Sequence, residues 1–274
     1  MREEFFETTR RCGTCYYYRS HDWIDYCGIK TSKLGCGWVV SACYEDLACR
    51  DYQNCRPLSE TRVLVACEYS GVIRDAFSNA GWDAWSCDLQ PTESEQTANE
   101  GKHYQCDIRD LMDDDWDLLI AHPPCTRLNI RGEYWTQKRN LYEEKQKAID
   151  FFMFFANWEI SHKAIENPVG IMSKVYRKPD QIIQPFYFGD DEQKATCLWL
   201  YNLPLLKYDY QDTLFSRKTT VEPNVRVTPS GFRYTFSDAQ RGKDRAKKRS
   251  KTFQGVANAM AEQWTEYFQH IGLI

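Results

Sequence analysis

The sequence predicts an α/β protein built around a mainly parallel sheet. Two observations carry that expectation. Between about residues 61 and 206, short apolar runs alternate with longer stretches of helical periodicity. Each apolar run also stops at a residue with turn chemistry. At about 100–200 residues per domain, a chain of 274 residues suits one large domain, or one large and one small.

The elements follow in order. Arg62-Val63-Leu64-Val65-Ala66-Cys67 reads as a buried strand, and Val72 to Ala80 as a helix closed by Gly81. Asp83-Ala84-Trp85-Ser86-Cys87 is a second strand, and Cys106-Asp107-Ile108 puts Asp107 at the edge of the cleft beyond the strands. Trp116 to Ala121 is another strand, stopped by Pro123-Pro124. Residues 138–159 predict one long helix, with Ile149, Phe152, Met153 and Ala156 on a single face. Lys163-Ala164-Ile165-Glu166 is a further strand, ending at Asn167-Pro168. A last helix, from about Gly255 to Gln269, lines up Val256, Met260, Trp264 and Tyr267.

Composition narrows the function classes. Hydrophobic residues make up 42%, charged residues 27% and aromatic residues 15%, which excludes a collagen-like or disordered chain. The longest apolar run, Phe151 to Trp158, is far short of the roughly 20 residues a membrane span needs. Met1-Arg2-Glu3-Glu4 lacks the apolar stretch of a secretory signal, so a cytoplasmic protein without a membrane partner is expected. The net charge of −4 conceals segregation. Residues 217–251 hold eleven Lys/Arg against three Asp/Glu, a stretch suited to a polyanion or to a solvated loop. Within it Phe232, Tyr234 and Phe236 alternate as a strand would.

Seven of the twelve cysteines lie in residues 1–55. In a reducing compartment such a cluster suggests metal rather than disulfides. Cys12-x2-Cys15-x11-Cys27, with Cys36, Cys43, Cys49 and Cys55 beyond it, signals a tetrahedral Zn2+ site. Ala48-Cys49-Arg50-Asp51-Tyr52 resembles the closing ligand of small four-Cys modules, which implies Cys12, Cys15, Cys27 and Cys49 as the ligands among several possible sets. Seven thiols also leave room for an iron–sulfur cluster. Residues 1–57 are thus expected to form a small metal-binding module and residues 61–274 the main domain.

Ligands of open α/β sheets bind outside the carboxyl ends of the strands. Cys67-Glu68-Tyr69-Ser70-Gly71 follows the first strand and leads into a helix, so Glu68, Ser70 and Gly71 border that crevice. Asp88, twenty residues beyond Glu68, ends the second strand and suits ribose hydroxyls, though it is also an ordinary loop carboxylate, and Asp107 adds a third polar group at the edge of the same cleft. No Gly-x-Gly-x-x-Gly phosphate cradle accompanies them. After the strand ending at Ala121, His122-Pro123-Pro124-Cys125 holds a thiol at the sheet's rim, as a nucleophile or as an inert buried cysteine. Glu166, at the end of the adjacent strand, is expected to have a raised pKa and to act as an acid.

These residues resemble the DNA cytosine-C5 methyltransferases, and among them phage-borne accessory methylases. Pro123-Pro124-Cys125 matches the family's Pro-Cys motif and Glu166-Asn167-Pro168 its Glu-Asn-Val motif. Gln254-Gly255-Val256-Ala257-Asn258-Ala259 is similar to its final Gly-Asn-Ala/Ser-Val segment. The resemblance spans about residues 62–206 and 250–270. It implies a Rossmann-like, class I methyltransferase fold binding S-adenosyl-L-methionine through Glu68, Ser70, Gly71, Asp88, Asp107, Pro123 and Asn258. It further implies attack of Cys125 on C6 of a cytosine, with Glu166 at N3 and Asn167 and Lys194 in support. The target that the resemblance implies is DNA, as a duplex with a flipped base or as a single strand. Two departures stand out. Gln193-Lys194-Ala195-Thr196 replaces a Gln-x-Arg-x-Arg segment, and only residues 207–250 are left to recognise a sequence. RNA or a free nucleotide as substrate, and a non-catalytic nucleic-acid binder, are the alternatives.

Overall fold

The computed structural model describes residues 18–21, 24–27, 56–208, 211–212, 217–218, 221, 223–231, 233–235 and 251–274. The chain divides into two compact units, residues 1–61 with 264–274, and residues 62–263.

In the first unit, β1 (Tyr18–His21) and β2 (Ile24–Cys27) form an antiparallel hairpin. Cys27 closes β2, while Cys12, Cys15 and Cys49 of the expected metal site lie outside the described residues.

The second unit is built on a seven-stranded sheet. Its strands are β3 (Arg62–Ala66), β4 (Asp83–Cys87), β5 (His103–Tyr104), β6 (Leu118–Ala121), β7 (His162–Pro168), β8 (Gln181–Ile183) and β9 (Thr196–Tyr201). Their spatial order is β5-β4-β3-β6-β7-β9-β8. The five strands from β5 to β7 run parallel, and β9 lies antiparallel between β7 and β8. This is a Rossmann-like, mostly parallel arrangement.

Alternation along each strand sends side chains to opposite faces. Leu64, Ala66, Leu119, Ala121, Ile165 and Trp199 share one buried cluster with Phe152 and Phe155 of α4 (Tyr142–Asn157). The Phe152 ring meets Trp199 edge-on at 5.0 Å. Helix α1 (Val72–Asn79) follows β3 and packs on β3 and β4 with Ile73 and Phe77 fully buried. Helix α2 (Glu95–Glu100) is capped by Ser94, whose side chain accepts from the Thr97 amide.

The sequence misplaces two boundaries. The helix expected over 138–159 is α4, which starts later, at Tyr142, because a separate and unexpected helix, α3 (Ile130–Arg139), stops before it at Asn140. Asn140 has φ 57° and its amide bonds Thr136, a left-handed stop that asparagine tolerates better than most residues. Strand β7 also runs through Asn167-Pro168 instead of ending there, because β9 pairs with it as far as Pro168 opposite Thr196. Proline is acceptable at that last position, where no further ladder bond is needed.

Helix α6 (Gln254–His270) closes the chain, preceded by the four-residue α5 (Met172–Val175). Gly255 is required at its start. A β-carbon there would come 2.1 Å from the Phe188 carbonyl, and its amide donates to Asp190 Oδ2 at 3.0 Å. Within 207–250, β10 (Gln211–Asp212) pairs with β11 (Arg217–Lys218), and β12 (Val225–Val227) with β13 (Arg233–Thr235). The expected strand around Tyr234 is therefore present, while Phe232, Phe236 and the basic run 241–250 lie outside the described residues. Among the described residues no helix is long and apolar enough to cross a membrane.

Candidate active site

The strand order reverses between β3 and β6, and the crevice outside their carboxyl ends is where a doubly wound sheet binds ligands. β3 runs into Cys67, which has φ 59°, a left-handed conformation costing of order 1–3 kcal/mol in a non-glycine residue. That turn carries Glu68 under the start of α1. Its buried carboxylate accepts from the amides of Ile73 (2.9 Å) and Arg74 (3.2 Å) and from Ser70 Oγ (3.2 Å). Burial pushes the Glu68 carboxyl up, opposed by the charge of His122 and by these three hydrogen bonds.

The amides at the helix start, which would otherwise receive an anion, are thus taken by the protein's own carboxylate. Gly71, with φ 75°, is demanded by packing, since a β-carbon would lie 2.4 Å from that of Ser94. Asp88 and Asp107 converge on the same turn. Burial, Asp88 and Asp107 together push the Cys67 thiol up to about 12. Asp88 Oδ1 accepts from the Gln90 amide at 2.8 Å, and Asp107 caps its own turn through the Arg109 amide at 3.0 Å. The crevice therefore has two carboxylates on its rim, of which Asp107 is ion-paired with Arg109 at 3.1 Å. It favours cations and hydroxyl donors and disfavours phosphate.

The second half of the site grows from the register of β6 on β7. Ala121 pairs with Ile165, so His122 and Glu166, the next residues, emerge side by side. His122 Nδ1 lies 3.0 Å from Glu166 Oε2. The His122 amide donates to Ala66 at 3.0 Å, tying this exit to β3. Pro123 and Pro124 then lead to Cys125, whose carbonyl accepts from the Leu128 and Asn129 amides and from Asn129 Nδ2 (2.8 Å). Asn129 also caps α3 through the Gly132 amide. Asn167, 1% exposed, donates to the Pro123 carbonyl at 2.7 Å.

Electrostatics couple the groups. Burial and then the Glu166 charge hold the Cys125 thiol up, while Lys194, the backbone and Asn129 pull it down. Burial also acts to raise the Glu166 carboxyl, but the His122 hydrogen bond and the charges of Lys194 and His122 outweigh it. The net effect holds Glu166 below the usual glutamate range, opposite to the raised value the sequence suggests. The reason is the hydrogen bond from His122 and the charge of Lys194, neither of which the sequence places beside it. A pocket of about 330 Å3 opens against the pair, lined by His122, Glu166, Thr196, Phe253, Val256 and Met260 with Ile183, Pro185 and Thr252.

No protein-family model matches the chain, and no curated protein matches it.

Of the residues singled out from sequence, Cys125, Glu166, Asn167 and Lys194 come together, with Pro123 between them. Glu68, Ser70, Asp88 and Asp107 gather at the crevice. Asn258 is exposed on α6, where its side chain accepts from Gln254 Nε2 at 2.8 Å. Sequence reasoning missed the parts played by His122 and Asn129. A histidine set directly between a buried strand and two prolines, and an asparagine four residues past the thiol, were the available signals.

Proposed function

We propose that this chain methylates C5 of cytosine in DNA, using S-adenosylmethionine and a transient bond between Cys125 and C6. The observation that carries the reading is the electrostatic coupling of Cys125, Glu166 and Lys194 beside the switch-point crevice. The crevice fits the proposed methyl donor, which is cationic, bears a ribose diol and has no phosphate. Asp88 and Asp107 would hold the diol and favour the cation, and Glu68 keeps the helix end closed to phosphate. When bound, S-adenosylmethionine supplies an electrophilic methyl group.

The chain's own residues do the rest. At rest the Cys125 thiol keeps its proton and Glu166 is ionised, by the directions above. On attack at C6, Glu166 takes that proton and delivers it to N3, where negative charge develops. Lys194 compensates the charge on Glu166, and Asn167 fixes the Pro123-Pro124 segment from which Cys125 projects. The base must leave the stack or arrive single-stranded to reach these atoms. The Cys-rich residues 1–57 are proposed to bind Zn2+, and the basic residues up to Lys251 to contact phosphates.

The test is incubation with methyl-labelled donor and DNA, followed by nucleoside analysis. Label in 5-methylcytosine, lost in Cys125→Ser, is expected. Label in N4-methylcytosine or N6-methyladenine, or no label in DNA while RNA or free nucleotide is methylated, overturns the reading.

A further inference from the structure

Position, partners and surroundings single out His122. It stands at the switch point, its amide bound to β3 and its ring to β7. The Nδ1 contact engages Glu166 Oε2, and Glu166 lines the pocket beside it. His122 Nε2 is buried and has no hydrogen-bond partner among the described residues. The imidazole also acts electrostatically on Glu68, on the crevice side. It is the described side chain that interacts with both carboxylates, one fixed by a helix start and the other beside the thiol. A buried carboxylate retains its charge only if something compensates it, and orientation of a catalytic acid or base by a third group is a recurrent device.

We infer that His122 is a positioning residue for Glu166, fixing the carboxylate's orientation and charge at the pocket it lines. The inference rests on the proposed function for its catalytic meaning, but the positioning itself is a property of the folded chain. Glu166 is also faced by Lys194 from the segment before β9, by Cys125 from the loop after β6, and by Cys197 from β9. His122 in turn faces Glu68. Its removal leaves Lys194 as the compensating charge, so the Glu166 carboxyl moves upward.

Two variants separate positioning from packing. His122→Phe keeps a ring and removes the donor, and His122→Asn restores an N–H near the place of Nδ1. With carboxyl-labelled glutamate, and the Glu166 signal assigned through Glu166→Gln, NMR titration should show Glu166 ionising below the usual range in the wild type. It should ionise at higher pH in His122→Phe, with a partial return in His122→Asn. This readout needs no activity, so it stands or falls separately from the proposed reaction. In the methylation assay, kcat should fall about 100-fold in His122→Phe, the order expected for loss of acid–base assistance, with KM little changed. The acidic limb of the pH profile should move up. Added to Glu166→Gln, the same change should cost little more. An unmoved Glu166 titration in folded His122→Phe overturns the inference. So does equal impairment of the Phe and Asn variants with losses that add fully to Glu166→Gln.

Discussion

The Asn167 side chain donates 2.7 Å across the site to the Pro123 carbonyl, so the strand that carries Glu166 also grips the segment that carries Cys125. Both groups are buried. Asn167→Ala strands that carbonyl without its donor, at an expected cost of about 1–3 kcal/mol. Denaturant unfolding should show the loss, and methyl transfer should fall more steeply than stability. Unchanged stability would argue against this bond as a tie.

Cys125 offers a test of the coupling that needs no substrate. Glu166→Gln removes a charge that raises the thiol, and Lys194→Met removes one that lowers it. At one mildly alkaline pH, alkylation of Cys125 by iodoacetamide should be fastest in Glu166→Gln, intermediate in the wild type and slowest in Lys194→Met. In every case the rate should climb with pH, because the thiolate is the reacting form. Three equal rates would disprove the coupling.

The acid side of the stability curve follows from Glu166. Its folded value lies below that of an unfolded chain, so the stabilisation is complete above the unfolded value and fades as pH falls through the folded one. Glu100 and Glu133 are lowered as well, by Arg74 and Lys145 respectively. The informative quantity is the difference between the wild type and Glu166→Gln, which should shrink as pH falls through the glutamate range and below it. Thermal unfolding at a series of pH values measures it.

At the crevice, Asp88→Asn and Asp107→Asn each remove a charge that raises Cys67. Its thiol should titrate lower than about 12 in either variant, read by ultraviolet thiolate absorbance against Cys67→Ser. Calorimetry should show weaker binding of S-adenosylmethionine in both. Retained affinity in the double variant would remove these carboxylates from the donor site.

Backbone proximity supports the thiol from a third direction. A β-carbon on Gly170 would sit 2.0 Å from the Leu128 carbonyl, and Ile171 donates to that same carbonyl at 2.8 Å. Gly170→Ala must therefore shift the loop holding Cys125, at a cost of about 1–3 kcal/mol. Unfolding and methylation measured together should both register it.

Much of the central sheet is legible in the sequence because β3, β4, β6 and β7 each hold a short apolar core followed within a few residues by turn chemistry. Asp83–Cys87 coincides with the expected strand and β3, β6 and β7 differ only at their ends, whereas β5 ends at Tyr104, before Cys106-Asp107-Ile108, where Asp107 caps a 3-10 turn. Strands β8 and β9 escape, since antiparallel pairing at the far edge is set by tertiary contact rather than by local pattern. Helix α3 escapes because its apolar residues Ile130, Tyr134 and Trp135 are exposed and make no buried stripe. Cys125 and Glu166 are visible as rim residues. The ionised state of Glu166 is not, because it depends on the register that puts His122 beside it and on the approach of Lys194 from a segment some thirty residues on.

Glu68 has a consequence for anions in solution. By seating its own carboxylate on the first turn of α1, the chain fills in advance the berth that ATP and the dinucleotides use on similar sheets. A phosphate group arriving there meets donors already spent on Glu68, so this turn is built to hold the chain's own carboxylate instead of an anion from solution.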